Sequence, residues 1–142
     1  MSLISNSPAW FPVAVQALVV IAGTDGLCSS NTMAQDLKAH AVFVRRVLAQ
    51  LVRADIVQAR EGRDGGYRLA RSAEQITLAE VYQAVKQVEP QDEGACSGEV
   101  NMSVQDILDE VGAEAEQRLL ETLGQHTLAS VIERAASSRH ST

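Results

Sequence analysis

Along this chain, apolar runs at helical spacing alternate with short polar breaks, a pattern that predicts a helix-rich protein. PAWFPVAVQALVVIAG is almost wholly apolar and predicts a first helix over about Val13–Ala22, ended by Gly23. In SSNTMAQDLKA, Ser29 or Ser30 can cap a short helix with Met33, Ala34 and Leu37 on one face. In AVFVRRVLAQLVRA, Val44, Val47, Leu48 and Leu51 recur at i, i+3, i+4 and i+7, the single apolar stripe of a helix over 41–54. Two short helices separated by a tight connection, followed by a longer one, make a helix-turn-helix order.

The period then changes. IVQARE alternates apolar and polar residues as a half-buried strand does, and YRLAR stands beyond GRDGG as its partner. Gly62, Gly65 and Gly66 allow the positive φ that a tight hairpin tip requires. Helical spacing returns in SAEQITLAEVYQAVKQ, where Thr77 and Glu80 form a capping box ahead of Leu78, Val81, Tyr82 and Val85. Residues 88–102, VEPQDEGACSGEVNM, have the Pro, Gly and acid content of an exposed loop. Ser103 can cap a long helix to about Leu123, with Val104, Ile107, Leu108, Val111, Ala115, Leu119, Leu120 and Leu123 along one side and acids opposite. Thr127 opens a last helix, TLASVIERAA, which could fold back against a partner chain, and the end after Ala136 is expected to fray. The expected organisation is a winged helix-turn-helix domain over 1–87, a loop over 88–102, dimerisation helices over 103–136 and a flexible tail over 137–142. The fold class is mainly α with a small β wing: a winged helix-turn-helix domain plus a long C-terminal dimerisation helix.

Composition sharpens this picture in three places. The 142 residues suffice for one cored domain with an appended element, and 46% hydrophobic content argues against disorder. The apolar run ending at Ala22 is too short to span a bilayer, and two cysteines make no disulfide framework, so a cytoplasmic protein is expected. Charge is unevenly spread: residues 1–71 carry a net +3 and residues 72–142 a net −9 within a total of −6. A basic working end can bind nucleic acid whatever the total charge, because binding depends on the local field.

The basic end has two parts. Opposite its apolar stripe, the third helix presents Val42, Arg46, Ala49 and Arg53, flanked by Arg45 and Gln50. Arg pairs bidentately with guanine edges or phosphates, and Val can meet a thymine methyl. REGRDGGYRLAR packs four arginines and three glycines into twelve residues directly after that helix, so the hairpin reads as a wing with Arg63 at its tip. The plainer alternatives are an ordinary solvated helix face and a turn with solubilising charges.

VFVRRVLAQLVRADIV, REGRDGGYRLAR and ITLAEVYQAV together resemble the Rrf2 family of bacterial winged-helix transcription regulators. The resemblance is close over roughly 12–90 and follows the order of elements beyond. It implies a homodimer that binds a palindromic operator in double-stranded DNA, usually as a repressor. Carried over by residue, the recognition role falls on Val42, Arg45, Arg46 and Gln50, the wing role on Arg63, Gly65 and Gly66, and Ser30 opens the second helix. There are departures. Pro8, Ala9, Trp10, Phe11 and Pro12 stand where many members carry Arg and Tyr, and His40 and Ala41 where many carry Asn and Pro.

Iron–sulfur members present three cysteines in the loop, whereas this loop has only Cys96, so no cofactor is expected. No histidine spacing completes a zinc site either, and no metal residues are assigned. Cys96 remains a candidate redox-sensing thiol, although Glu93 and Glu99 disfavour its thiolate, and a cysteine without a role stands beside that reading. Cys28 reads as a small buried hydrophobe. Two rivals complete the field: a winged-helix protein–protein interaction module without sequence-specific DNA binding, and a thiol enzyme, for which Cys96 lacks an activating neighbour. No enzymatic activity is expected.

Overall fold

The computed structural model describes residues 10–86 and 102–139. Cys96 and all of the expected 88–102 loop except Met102 lie outside the described residues. The described residues form six α-helices, one 3₁₀ turn and one two-stranded hairpin: α1 (Trp10–Ala22), α2 (Ser30–Leu37), α3 (Ala41–Arg53), β1 (Val57–Arg60), β2 (Gly66–Leu69), the 3₁₀ turn (Ala73–Gln75), α4 (Leu78–Val85), α5 (Met102–Gly124) and α6 (Leu128–Arg139).

Helix α1 begins three residues before the expected Val13, at Trp10. Pro12 sits in its first turn, where a missing backbone N–H costs nothing, so the proline does not delay the start. Phe11, Ala14, Leu18 and Ile21 are buried and make α1 the centre of the core, with α2, α3, α4 and α6 packed around it. From α3, Val44, Val47, Leu48 and Leu51 are completely buried, the whole of the predicted stripe.

Local chemistry sets the joints. Ser29 caps α2: its hydroxyl accepts from the Thr32 N–H at 3.1 Å. Lys38 then turns the chain in the left-handed region at φ 53°, and Ala39 N–H closes onto Ala34 O at 3.0 Å. Helix α3 opens at His40, whose side chain makes no capping bond. It closes with Asp55 at φ 59° and Ile56 N–H on Leu51 O. The capping box on α4 is complete: Glu80 N–H donates to Thr77 Oγ1, and Thr77 N–H donates to Glu80 Oε2 at 3.0 Å.

The C-terminal helices depart from expectation. Helix α5 starts at Met102, which places Ser103 inside its first turn rather than at the cap. Helix α6 packs back on its own chain, against the 3₁₀ turn and α1. A bridge between Thr77 and Thr127 holds it there, with Leu78 N–H on His126 O and Leu128 N–H on Ile76 O. Leu123 and Leu128 are buried in the same core as α1 and α3, so that core does not end at residue 87. The reason is elementary: Ile76, Val81 and Val85 present an apolar face that needs covering, and Leu123 and Leu128 cover it. Helix α6 continues to Arg139, beyond the expected start of the tail. From Ser103 to Ala115, by contrast, every residue of α5 is exposed in the single chain.

Candidate nucleic-acid interface

Burying Val44, Val47, Leu48 and Leu51 leaves the opposite side of α3 turned outward. That side carries Val42, which is 66% exposed, and the exposed Arg45, Arg46, Ala49 and Arg53. Their spacing of three and four residues makes one continuous strip along the helix. Gln50 is half-buried at its edge, where it and Arg53 line a shallow groove with Glu80 and Gln83 of α4. Among the described residues, no carboxylate forms an ion pair with an arginine of this helix. The strip therefore keeps its positive charge and the five N–H donors of each guanidinium.

One arginine is held in place. The Arg46 guanidinium lies over the ring of Trp10, 5.7 Å from its centroid. Trp10 is itself packed on Phe43, with ring centroids 4.5 Å apart. Phe43 and Arg46 are three apart on α3, so both reach the first turn of α1. Sequence reading passed over Trp10 as a departure from a familiar pattern. No period links residues 10 and 43, and only packing brings them together.

The wing is a four-pair antiparallel ladder in which Val57 faces Leu69 and Arg60 faces Gly66. Arg63 and its neighbours at the tip are exposed. Arg68 is partly committed, donating from Nε to Gln58 Oε1 at 2.9 Å across the ladder. Arg71 is bound into the structure: it donates to Asp55 O, Gln75 O and Glu80 Oε1, pinning the wing base to α4. Partial burial alone would raise the pKa of Glu80, but bonds from the Thr77 backbone and Arg71 outweigh it and hold the carboxyl below its usual range.

Two of the three wing glycines act differently from expectation. Only Gly62 has a positive φ, 113°; Gly65 and Gly66 do not. They are required by close approach instead. A methyl on Gly65 would collide with the Arg60 carbonyl oxygen, and one on Gly66 would stand 2.8 Å from Cys28 O. Gly66 is buried because Cys28 runs beside β2: Cys28 N–H donates to Tyr67 O at 2.9 Å and Tyr67 N–H to Cys28 O at 2.8 Å. The loop before α2 thus forms a third, one-bridge rung of the wing, and Gly66 shapes the wing from inside. Ser30 is the first residue of α2 and is half-buried, with Ser29 rather than Ser30 as the cap.

On α5, Val104, Ile107, Leu108 and Val111 are 48–58% exposed, and Ala115 is exposed with them. Leu119 differs, because it packs partly on its own core. Lys86 Nζ, 2.8 Å from Glu116 Oε1, ties the end of α4 to the middle of this helix.

A helix-turn-helix with an exposed basic second helix, followed by an arginine-tipped hairpin, defines a winged-helix DNA-binding protein. A family model described as "Iron-dependent Transcriptional regulator", that of Rrf2, matches residues 9–134. The chain belongs to the Rrf2 family, and it is a DNA-binding transcription regulator. Solved structures share the fold. IscR of T. potens is 21% identical at a TM-score of 0.67, with 92% of this chain and 88% of that one covered. CymR, the global cysteine regulator of B. subtilis, is 16% identical at 0.64, with 89% and 95% covered. A candidate transcriptional regulator from Lactobacillus plantarum is 20% identical at 0.71, with 94% and 91% covered.

The family description invokes iron, and the donors of this chain can be set against that. Iron–sulfur clusters are held by several thiolates presented together. Cys28 is buried beside β2 with its thiol directed at its own neighbour's carbonyl, Ser29 O. That leaves Cys96 as the second of two cysteines in the chain, a donor set that does not fit a cysteine-ligated cluster on one chain. Among the described residues, no group of three His, Cys, Asp or Glu side chains could hold a metal ion. No described helix is long and apolar enough to cross a membrane.

Proposed function

We propose that the protein is a homodimeric repressor that binds a palindromic operator, with α3 in the major groove and the wing along the adjacent backbone. The observation that carries this reading is the unneutralised strip of Val42, Arg45, Arg46, Ala49 and Arg53, with Gln50 at its edge. Arg45 and Arg46 read base edges, Arg53 and Arg63 meet phosphates, and Ser30 at the start of α2 adds a backbone contact. Gly65 and Gly66 serve DNA indirectly, by shaping the wing that carries Arg63. The exposed apolar residues of α5 are the dimer seam: Val104, Ile107, Leu108 and Val111, with Ala115 alongside and Leu119 at its inner end. A pair of domains joined this way addresses half-sites about one helical turn, roughly 34 Å, apart. With Cys28 buried, Cys96 is the thiol through which oxidation would change DNA affinity.

The test is selection of a preferred duplex from random DNA, followed by fluorescence anisotropy on that duplex and on a scrambled one. Each titration is run in thiol reductant and again after mild oxidation. Selective binding to a two-fold symmetric sequence, with two chains per duplex, is the expected result. Loss of that binding on oxidation, abolished by Cys96→Ser, is expected if Cys96 is the sensor. Absence of any selective binding at low salt overturns the operator reading and favours an acidic protein as the partner of the basic strip.

A further inference from the structure

We infer that Trp10 is a specificity-determining positioning residue, which pre-orders Arg46 for base recognition without touching DNA bases itself. The inference rests on the operator reading above. Arg46 differs from the other arginines of the outward strip in having a ring partner: its guanidinium lies 5.7 Å from the Trp10 centroid. The ring is in turn immobilised. Trp10 is only 9% exposed and is packed at 4.5 Å and 45° on Phe43, which belongs to the same helix as Arg46. Phe43, Trp10 and Arg46 thus form a stack that begins and ends on α3 and passes through the first turn of α1.

A free arginine at a protein surface loses much of its side-chain entropy when it docks bidentately on a guanine. A guanidinium already held over an aromatic face has lost part of that freedom before DNA arrives, so more of the contact energy remains as affinity. Phosphate contacts tolerate many arginine geometries, whereas base-edge contacts do not. The restraint therefore favours the correct sequence and is nearly neutral for random DNA. Removing the ring leaves every charge in place, which separates this effect from simple electrostatics.

The expected magnitude follows from the strength of an exposed cation–π contact and is about two- to fivefold in affinity. Trp10→Leu should weaken binding to the selected operator by that factor and leave binding to a scrambled duplex unchanged. The salt dependence should keep its slope. Trp10→Phe, which keeps a weaker aromatic face, should lie between the two. In an Arg46→Ala background, Trp10→Leu should have no further effect on the ratio of selected to scrambled binding. A second readout does not depend on any variant of the tryptophan. Trp10 is the sole tryptophan of the chain, so intrinsic fluorescence reports on it alone. Its emission should change on binding the selected duplex, and that change should largely vanish in Arg46→Ala.

Equal weakening on selected and scrambled DNA would overturn the proposal, as would an undiminished effect of Trp10→Leu in the Arg46→Ala background. Should Trp10→Leu not fold, Trp10→Phe and the fluorescence of the parent and Arg46→Ala proteins decide between the same outcomes. If the parent protein selects no duplex, the operator reading fails and this inference falls with it. If it selects one and Trp10 proves indifferent, only the inference fails.

Discussion

Gly66→Ala should destabilise the fold although the backbone of Gly66 forbids no side chain. A Cβ at this position would lie 2.8 Å from Cys28 O, 3.0 Å from Cys28 C and 3.1 Å from Leu27 Cβ. Two of these three neighbours are backbone, which cannot swing aside as a side-chain tip can. The chain has two responses. It can keep the bridge between Cys28 and Tyr67 and accept the overlap, an overpacking cost of about 1–3 kcal/mol. Alternatively it can separate the strands and lose two backbone hydrogen bonds of 2.8 and 2.9 Å, each worth about 0.5–1.5 kcal/mol net. The responses are alternatives and their costs do not add, so about 2 kcal/mol is expected either way. For a chain of this size that corresponds to a fall in Tm of roughly 5–10 °C. Gly124→Ala is the matched control. Gly124 ends α5 without a positive φ, and its added methyl would meet only Ala79 Cβ at 3.9 Å. It should be neutral or stabilising by up to about 1 kcal/mol. Melting followed by circular dichroism at one fixed protein concentration, since an oligomer's Tm depends on concentration, compares the three proteins. A Gly66→Ala protein melting within about a degree of the parent would refute the close approach of β2 to Cys28. Equal losses in both variants would refute the distinction between the two glycines.

Three further outcomes follow from the same geometry. Because the folded Glu80 carboxyl titrates below its ordinary range, its bonds stabilise the fold above the unfolded value of about 4.3 and lose that contribution as pH falls through the folded value. The side chain is 42% exposed, so screening keeps its ionic contribution within about 1 kcal/mol. The gap in Tm between the parent and Glu80→Gln should therefore close below about pH 4, and a gap independent of pH would refute the assignment. Ile107→Asp with Val111→Asp should yield monomers by sedimentation while the winged-helix core, which contains neither residue, retains its helicity; a dimer that survives would remove α5 from the interface. Arg46→Ala should lose sequence preference, while Arg63→Ala should weaken all duplexes alike and flatten the salt dependence by about one unit of slope. Unchanged affinity in both would sink the roles assigned to them.

Much of the fold was legible in the order of residues because its signals are local. The stripe of Val44, Val47, Leu48 and Leu51 is a property of helical period, and all four are buried. Thr77 and Glu80 are three residues apart and form their capping box within a single turn. The outward position of Val42, Arg45, Arg46 and Arg53 follows from the same period, because a helix that buries one side must present the other. Local reading failed where a distant segment supplies the cause. Gly65 and Gly66 suggested turn conformations, yet the constraint on Gly66 is a carbonyl 38 residues away at Cys28, and that on Gly65 is the Arg60 carbonyl at the end of β1, across the tip. Arg71 belongs to the same basic stretch as Arg63 in sequence, but three acceptors from β1's approach, the 3₁₀ turn and α4 claim it for structure.

The sequence alone determined the helix-turn-helix order, the hairpin after it, the basic character of this end and the amphipathic length of α5. Each depends on spacing within one element, where 3.6-residue and two-residue periods leave their mark on composition. Tertiary structure alone decided that Trp10 would meet Phe43 and Arg46, that Cys28 would become a rung of the wing, and that Leu123 and Leu128 would complete the N-terminal core. Those contacts join residues 33 to more than 100 positions apart, and their driving force is burial of apolar surface, which is non-directional. Burial specifies that a face must be covered, and only the packed chain specifies by what.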